Sequence, residues 1–366
     1  MTDPSTTPLP GLDPRASFDW RDGERRIAFG RGAHADAIEL IAELGGRYAV
    51  LCSPRAAATL PAGLAAGAER VVELGAGPVA ELTAPLVDSE LPELIVAYGG
   101  GRLIDSAKAI VAARGGGAAV ALPTTLSGAE MTAVHRMPDG HSGTMVRPAL
   151  VVWDPGALES APEATLRASA MNAAGHAAEA LWVRIATPLS SLAALEGIRL
   201  VVAGLEPPRG HGLGHDELGL GALLCGYALD QTALSFHHVV SQSLVHTIGS
   251  PHAETNAVVL PLAVEAMAGR APRAVAAIAA ALGVTGGGAE AVAARLRRLA
   301  GAAEDAGVAG LRTQASEPGR AADAVAAILG RSRQLGLVAD PPGEAELEAL
   351  VAAAIDGPES AAADLI

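Results

Sequence analysis

Between residues 25 and 123 the chain alternates short apolar runs with amphipathic stretches. RRIAF (25–29), YAVLCS (48–53), RVVEL (70–74), ELIVAY (93–98) and AAVALP (118–123) have the length and bounding residues of strands. HADAIELIAELG (34–45) repeats apolar residues every three or four positions and stops at Gly45, as an amphipathic helix does. Further helical segments lie near 55–67, 78–90 and 102–114. Nearly continuous apolar strands separated by helices predict a parallel sheet covered on both faces. The segment 131–154 predicts a hairpin about the Asp139-Gly140 turn, its last strand stopped by Asp154-Pro155.

From residue 158 the pattern is helical. PEATLRASAMNAAGHAAEALWVRIA, PLSSLAALEGIRLVVAGL and DELGLGALLCGYALDQTALSFHHVVSQSLVHTIG all carry helical apolar spacing. So do PHAETNAVVLPLAVEAMAG, RAVAAIAAALG and AEAVAARLRRLAGAAEDAG, and no strand or solenoid repeat is predicted here. EPPRGHGLGHDE (206–217) is a loop. The expected organisation is a flexible lead-in (1–20), an α/β domain (21–157) and an all-helical domain (158–366).

Composition narrows the function classes. Half of the 366 residues are hydrophobic and mean hydropathy is +0.32, which excludes wholesale disorder and leaves ample material for cores. A net charge of −14 argues against a nucleic-acid or anionic-membrane surface. Gly, Pro, Asp or His interrupts the apolar stretches before they reach a membrane span. Two cysteines, Cys52 and Cys225, form no disulfide framework and fit a reducing cytoplasm. The N-terminus lacks a basic-then-apolar signal pattern. Lys108 is the single lysine among 26 basic residues, and a compact ammonium is not interchangeable with a guanidinium at a tight site.

Three places carry candidate chemistry. LIVAYGGGRLIDSAKAIVAA (94–113) reads strand, glycines, helix. Gly99, Gly100 and Gly101 let backbone approach a ligand, and the helix N-terminus after them suits a pyrophosphate. Asp105 is placed to orient that loop, and Lys108 follows one turn on. LPTTLSGAEMT (122–132), with Thr124 and Thr125, is a second polar loop at a strand's carboxyl end. Asn172 and His176 share a helix face at i and i+4, while His238 and His252 flank a helix boundary. Three imidazoles, with an amide or water, suit Fe(II), Zn(II), Co(II) or Ni(II). His237, His246, His211 and His215 read as surface or supporting groups.

In order, GGGRLIDSAKA, PTTLSGAEMT, MNAAGHAAEAL, ALSFHHVVSQSLVH and PHAETNAVVLP resemble the iron-containing alcohol dehydrogenase family, nearest its maleylacetate reductase branch. That superfamily also includes glycerol dehydrogenase and dehydroquinate synthase. The resemblance implies a dehydroquinate synthase-like fold, with a nucleotide-binding α/β domain, a helical metal and substrate domain, and an active site in the cleft between them. It implies NADPH or NADH as coenzyme, a divalent metal such as Fe2+ or Zn2+, a small-molecule substrate and a homodimer. Gly99, Gly100, Gly101 and Asp105 match the pyrophosphate loop. Thr124, Thr125 and Leu126 match positions around the nicotinamide and ribose. Asn172, His176, His238 and His252 match the metal-ligand positions, and a metal there would polarise a substrate carbonyl while the nicotinamide delivers hydride.

Several residues depart from the family pattern. Arg102 stands in the phosphate loop where serine is usual, and Ala129 replaces a loop serine. Gln242 occupies the position of a further histidine, often given a proton-relay role; an amide is neither acid nor base at neutral pH. His246 lies one turn later on the same helix. Asn172 replaces an anionic ligand, which weakens a metal site. The basic loop of the branch is reduced to Arg136 and Arg147, few cations for a dianion such as maleylacetate. The strand ending LCSPRAA has no acidic residue for a ribose 2′-hydroxyl, whereas Ser53 and Arg55 suit a 2′-phosphate. The leading expectation is an NAD(P)H-dependent reductase. A non-redox lyase or cyclase on the same scaffold and a non-catalytic binding protein stand behind it.

Overall fold

The computed structural model describes residues 13–317 and 319–357. They form two compact units: one comprises the chain to Ala161 with Gly214–Leu220, the other Pro162–Leu213 with the chain from Gly221.

The first unit holds a seven-stranded sheet. Its strands are β1 (Phe18–Asp22), β2 (Arg25–Phe29), β3 (Tyr48–Cys52), β4 (Arg70–Glu73), β5 (Leu94–Gly99), β6 (Ala118–Pro123) and β7 (Leu150–Trp153). The spatial order is β1-β2-β7-β6-β5-β3-β4. Only β1 and β2 pair antiparallel; the other neighbours are parallel. Helices α1 (Ala33–Ala42), α2 (Pro54–Ala57), α3 (Ala62–Gly67), α4 (Val79–Val87) and α5 (Gly101–Arg114) connect them. The period-2 alternation of β3 and β5 separates two cores. Tyr48, Val50, Cys52, Val96 and Tyr98 face α1 to α3. Ala49, Leu51, Ile95 and Ala97 face α5. After β4 the chain crosses to the other side of β3, so the strand order reverses between β3 and β5. Ligands of open parallel sheets bind outside the carboxyl ends of the strands at such a switch point.

Three sequence expectations need correction. β1 begins at Phe18, inside the stretch expected as a flexible lead-in, because its backbone pairs with β2 from Phe18 to Asp22; residues 1–12 lie outside the described residues. The hairpin over 131–154 does not form. Its Asp139-Gly140 turn is present, with His141 N bonded to Pro138 O, but β7 instead joins the parallel sheet between β2 and β6. The carbonyls that a first hairpin strand would offer a partner are taken by buried cations: Lys108 Nζ binds Thr132 O and Val134 O, and Arg25 Nη1 binds Met131 O at 2.5 Å. Finally, one helix of the second unit, Pro188–Leu205, is long and apolar enough to cross a membrane, with a mean hydropathy of 1.4. It packs along its neighbours inside that unit.

The second unit is helical, with no strand among its described residues. Its helices are α6 (Glu163–Trp182), α7 (Pro188–Leu205), α8 (His215–Asp230), α9 (Phe236–Ile248) and α10 (His252–Met267). They continue with α11 (Pro272–Ala281), α12 (Gly288–Ala300), α13 (Ala302–Gln314), α14 (Arg320–Leu329), α15 (Ser332–Leu335) and α16 (Glu344–Asp356). The first residues of α8 belong with the first unit, where Asp216 pairs with Arg31 and Gly219 lies against the Trp153 ring. α6 is buried almost all round and packs on α7, α9, α10, α12 and α13. Its run of alanines lets these neighbours approach closely, which brings polar side chains of α6, α9 and α10 together in the interior.

Candidate active site

In the first unit two loops face each other beyond β5 and β6. Gly99 has φ +147, and a side chain there would strike Leu103. A Cβ on Gly101 would come within 2.8 Å of Ser127, and one on Gly100 within 3.2 Å of Thr125. Thr124 N donates to Gly99 O at 3.1 Å. The glycines therefore serve the close approach of the two loops as well as the open backbone at the N-terminus of α5. Thr124 and Thr125 are half-buried, Arg102 is exposed, and Leu126 is fully buried. Ser53 caps α2, its Oγ accepting from Ala56 N at 3.1 Å, and the exposed Arg55 donates to Ser160 O.

Lys108, expected beside the coenzyme, points into the interior of the first unit. It is fully buried, and its Nζ donates to Ala129 O at 2.8 Å, Thr132 O at 3.0 Å and Val134 O at 2.8 Å. Asp105 Oδ1 lies 2.8 Å away as an ion contact. Three N–H groups meet three carbonyls, so the ammonium is saturated. It ties the loop after β6 to α5. Between these anchors Glu130 is buried, accepts from Trp153 Nε1 at 3.1 Å, and has its second oxygen unpartnered. Burial pushes its carboxyl up to about 7.

In the second unit α6 presents Asn172, His176 and Glu179 on one face, and α9 presents His237 and His238. His238 Nε2 lies 3.1 Å from Asn172 Oδ1. His238 Nδ1 lies 2.7 Å from Glu179 Oε2. The His176 ring stacks on His238 at 4.6 Å, and His176 Nδ1 is buried without a partner. Glu179 Oε1 accepts from the backbone of Ser235 and His238. Burial holds His237 and His238 down at about 3 and His176 well below its usual value, so all three rings are neutral. Burial also raises Glu179 to about 7, against the hydrogen bonds that favour its charge.

Glu179, His237 and His238 have ligand atoms close enough to hold a metal ion. Their polar atoms are already engaged with one another, though, in the pattern of a carboxylate that orients a ligating histidine. On the other side of the His238 ring, Nε2 and the Asn172 oxygen lie 3.1 Å apart, and the stacked His176 ring adds a third neutral donor to a set of N and O atoms that fits a divalent cation. His252 begins α10 and is exposed, yet near enough to act electrostatically on His176, His237 and His238. Gln242 is half-buried one turn beyond His238 and accepts from Arg331 Nη1 at 2.8 Å. His246 is exposed in the last turn of α9.

One residue of the cluster escapes sequence reasoning, and another is narrowed. His237, expected at the surface or in support, is fully buried, which excludes the surface. Glu179 was not singled out, although its spacing of three from His176 and seven from Asn172 puts all three on one helix face.

Comparison with known proteins decides the family. Residues 24–155 match the model of the iron-containing alcohol dehydrogenases, and residues 167–308 match that of the C-terminal part of the same family. The chain belongs to the iron-containing alcohol dehydrogenase family. Maleylacetate reductase of Burkholderia cepacia is 32% identical over 284 residues, spanning 71% of this chain and 78% of the relative. That of Rhizobium sp. is 32% identical over 287 residues, 73% and 80% of the two chains. Among solved structures, an alcohol dehydrogenase from Ralstonia eutropha superposes with a TM-score of 0.79 at 29% identity, over 94% of this chain and 99% of that one. Maleylacetate reductase from Agrobacterium tumefaciens gives 0.75 at 28% identity, over 93% and 98%. As a family member the protein is an NAD(P)-dependent oxidoreductase acting on small molecules. The family uses NAD(P)H and a divalent metal such as Fe2+, and this chain's second unit has the buried donors for one.

Proposed function

We propose that the protein reduces a small carbonyl compound of the maleylacetate type with NADPH or NADH, assisted by a divalent cation. The observation that carries the reading is the buried His176 ring, with a nitrogen that has no hydrogen-bond partner, stacked on the His238 ring whose Nε2 meets Asn172 Oδ1. Buried nitrogens left without hydrogen bonds cost stability unless a ligand meets them. His176, His238 and Asn172 would hold the cation, with His252 as the fourth ligand. When bound, it supplies Lewis-acid polarisation of the substrate carbonyl.

The remaining roles belong to the chain's own residues. Gly99, Gly100 and Gly101 bind the pyrophosphate with the N-terminus of α5, Asp105 orients that loop, and Arg102 adds an exposed cation beside it. Thr124 and Thr125 hold the nicotinamide and ribose. Ser53 and Arg55 would meet a 2′-phosphate at the end of β3, which keeps NADPH beside NADH as the coenzyme. Lys108 holds the loop that carries the threonines. Gln242, fixed by Arg331, donates no proton, and the buried imidazoles are neutral. The product alkoxide therefore draws its proton from water, with the exposed His246 as the relay. A homodimer in the cytoplasm completes the proposal. The exposed Leu189 and Leu192 support the first, and the free buried thiols Cys52 and Cys225 the second.

The test is calorimetric titration with NADPH and NADH on protein of measured metal content, followed by coenzyme oxidation against a carbonyl panel that includes maleylacetate. Tight binding of one coenzyme and turnover with a panel member are expected. A folded, metal-containing sample that binds neither coenzyme would overturn the reading.

A further inference from the structure

Arg331 brings a cation to the face of α9 that carries His238. Along that helix His238, Gln242 and His246 follow one another at intervals of four and share a face. Burial falls away in the same order: His238 is buried, Gln242 half-buried and His246 exposed. Gln242 therefore stands between the donor set and solvent, about 6 Å along the helix axis from His238. Arg331 follows α14 and is half-buried, and its Nη1 donates to Gln242 Oε1 at 2.8 Å. Arg320, at the start of α14, donates to Thr247 O near the end of α9. The two contacts run in opposite sequence order, so α14 passes back along α9 toward His238. Arg320 also pairs with Glu317, whereas Arg331 meets at Gln242 an amide, which orients a guanidinium without cancelling its charge. The α9 sequence FHHVVSQSLVHTI holds no aspartate, glutamate, lysine or arginine, so the permanent charge at this face comes from Arg331.

We propose that Arg331, held by Gln242, binds a carboxylate of the substrate, so that the protein acts on oxo acids in preference to neutral carbonyl compounds. The proposal deepens the reductase reading and rests on it. A guanidinium carries its N–H groups on a planar fork, so one edge can hold Gln242 while another grips a carboxylate with two parallel hydrogen bonds. About one turn of helix separates Gln242 from His238, which suits a carboxylate a few bonds away from the carbonyl. Gln242 and Arg331 then work as a pair. A histidine at 242 would set an ionisable ring against the guanidinium, and the amide removes that repulsion while offering an acceptor. The basic loop, reduced to Arg136 and Arg147, leaves a dianion short of cations, and Arg331 supplies one.

The test compares an acid with its ester, because the ester keeps the carbonyl and removes the charge. Zn(II)-loaded protein with oxidised coenzyme, which delivers no hydride, is titrated calorimetrically with maleylacetate and 4-oxopentanoate, each beside its methyl ester. At least one acid should bind about 30-fold tighter than its ester, the size expected of a charge-assisted pair. R331M should weaken that acid by about 30–100-fold and leave the ester within about threefold, which erases the preference. R331K keeps the charge but loses the fork and should fall between. Equal affinity for acid and ester in the wild type, binding of none of these compounds, or an R331M that keeps the preference would each overturn the proposal. An arginine that only fastens α14 to α9 would weaken acid and ester alike, leaving their ratio unmoved. If R331M does not fold, R331K carries the same comparison. Turnover with reduced coenzyme separates the two readings. Esters reduced as well as acids would refute the role of Arg331 and leave the reductase standing. Acid binding that depends on Arg331, in protein that oxidises no coenzyme with any of these compounds, would refute the reductase and leave Arg331 standing.

Discussion

Lys108 and His176 are both buried, both polar, and each stands on a helix whose residues are mostly buried. They differ in how their hydrogen bonds close. Every proton of the Lys108 ammonium meets a backbone carbonyl. His176 has a nitrogen that meets nothing. A satisfied buried cation is a fastening, since its partners are fixed parts of the same fold. An unsatisfied buried nitrogen is a standing cost that folding alone does not explain. The first unit spends its conspicuous residue on holding a loop, and the second keeps its own open to a ligand.

The largest effect that sharpens this contrast is on stability. Lys108→Met should destabilise the first unit by about 3–5 kcal/mol, because three buried carbonyls and the Asp105 charge lose their partner. Lys108→Arg should also destabilise, since a planar guanidinium does not fit a cage made for an ammonium. Denaturant unfolding measures both. A melting curve like that of wild type, with coenzyme binding lost, would return Lys108 to the role of a coenzyme contact.

His176→Leu should behave in the opposite way. It replaces an unsatisfied polar ring by apolar volume, so metal-free stability should hold or rise. Divalent-metal affinity should fall by more than about 100-fold, beyond the loss expected for an outer-shell change. Co(II) titration and calorimetry on the same sample read the two quantities. A variant that unfolds as Lys108→Met does would make His176 structural and dissolve the comparison.

The same contrast marks what could be read from sequence. The strands, the helical second half and the ordered motifs were legible because hydrophobic period and glycine placement act locally. Asn172 with His176, and His238, were found by spacing and do meet. The hairpin was misread because turn chemistry at Asp139-Gly140 is local, whereas the capture of its carbonyls by Lys108 and Arg25 depends on residues 24 and 106 positions earlier in the chain. Lys108 was noticed for its rarity and assigned to the coenzyme, since nothing in a sequence shows where an ammonium's three bonds go. His237 was set aside for a related reason. Its neighbour His238 carries the spacing signal, while its own hydrogen bond goes to a carbonyl nineteen residues away.

Glu130 tests whether an unpartnered oxygen in the first unit behaves like the His176 nitrogen in the second. Its Oε1 is bonded to Trp153 Nε1 and its Oε2 is buried without a partner. Burial raises its carboxyl from 4.5 to about 7, while Lys108 and Arg25 pull the other way. The native state therefore holds a proton that the unfolded chain releases between these values. The stability due to the neutral carboxyl is complete below about 4.5 and is lost as pH rises through about 7. Glu130→Gln keeps an oxygen for Trp153 and never ionises. It should match wild type near pH 4.5 and be more stable above pH 7, by on the order of 2 kcal/mol. Urea midpoints across this range measure the difference. A constant offset at all pH values would mean that Glu130 stays ionised in the fold, held by Arg25 and Lys108. It would then be a third fastened charge of the loop, in contrast to His176 in the second unit.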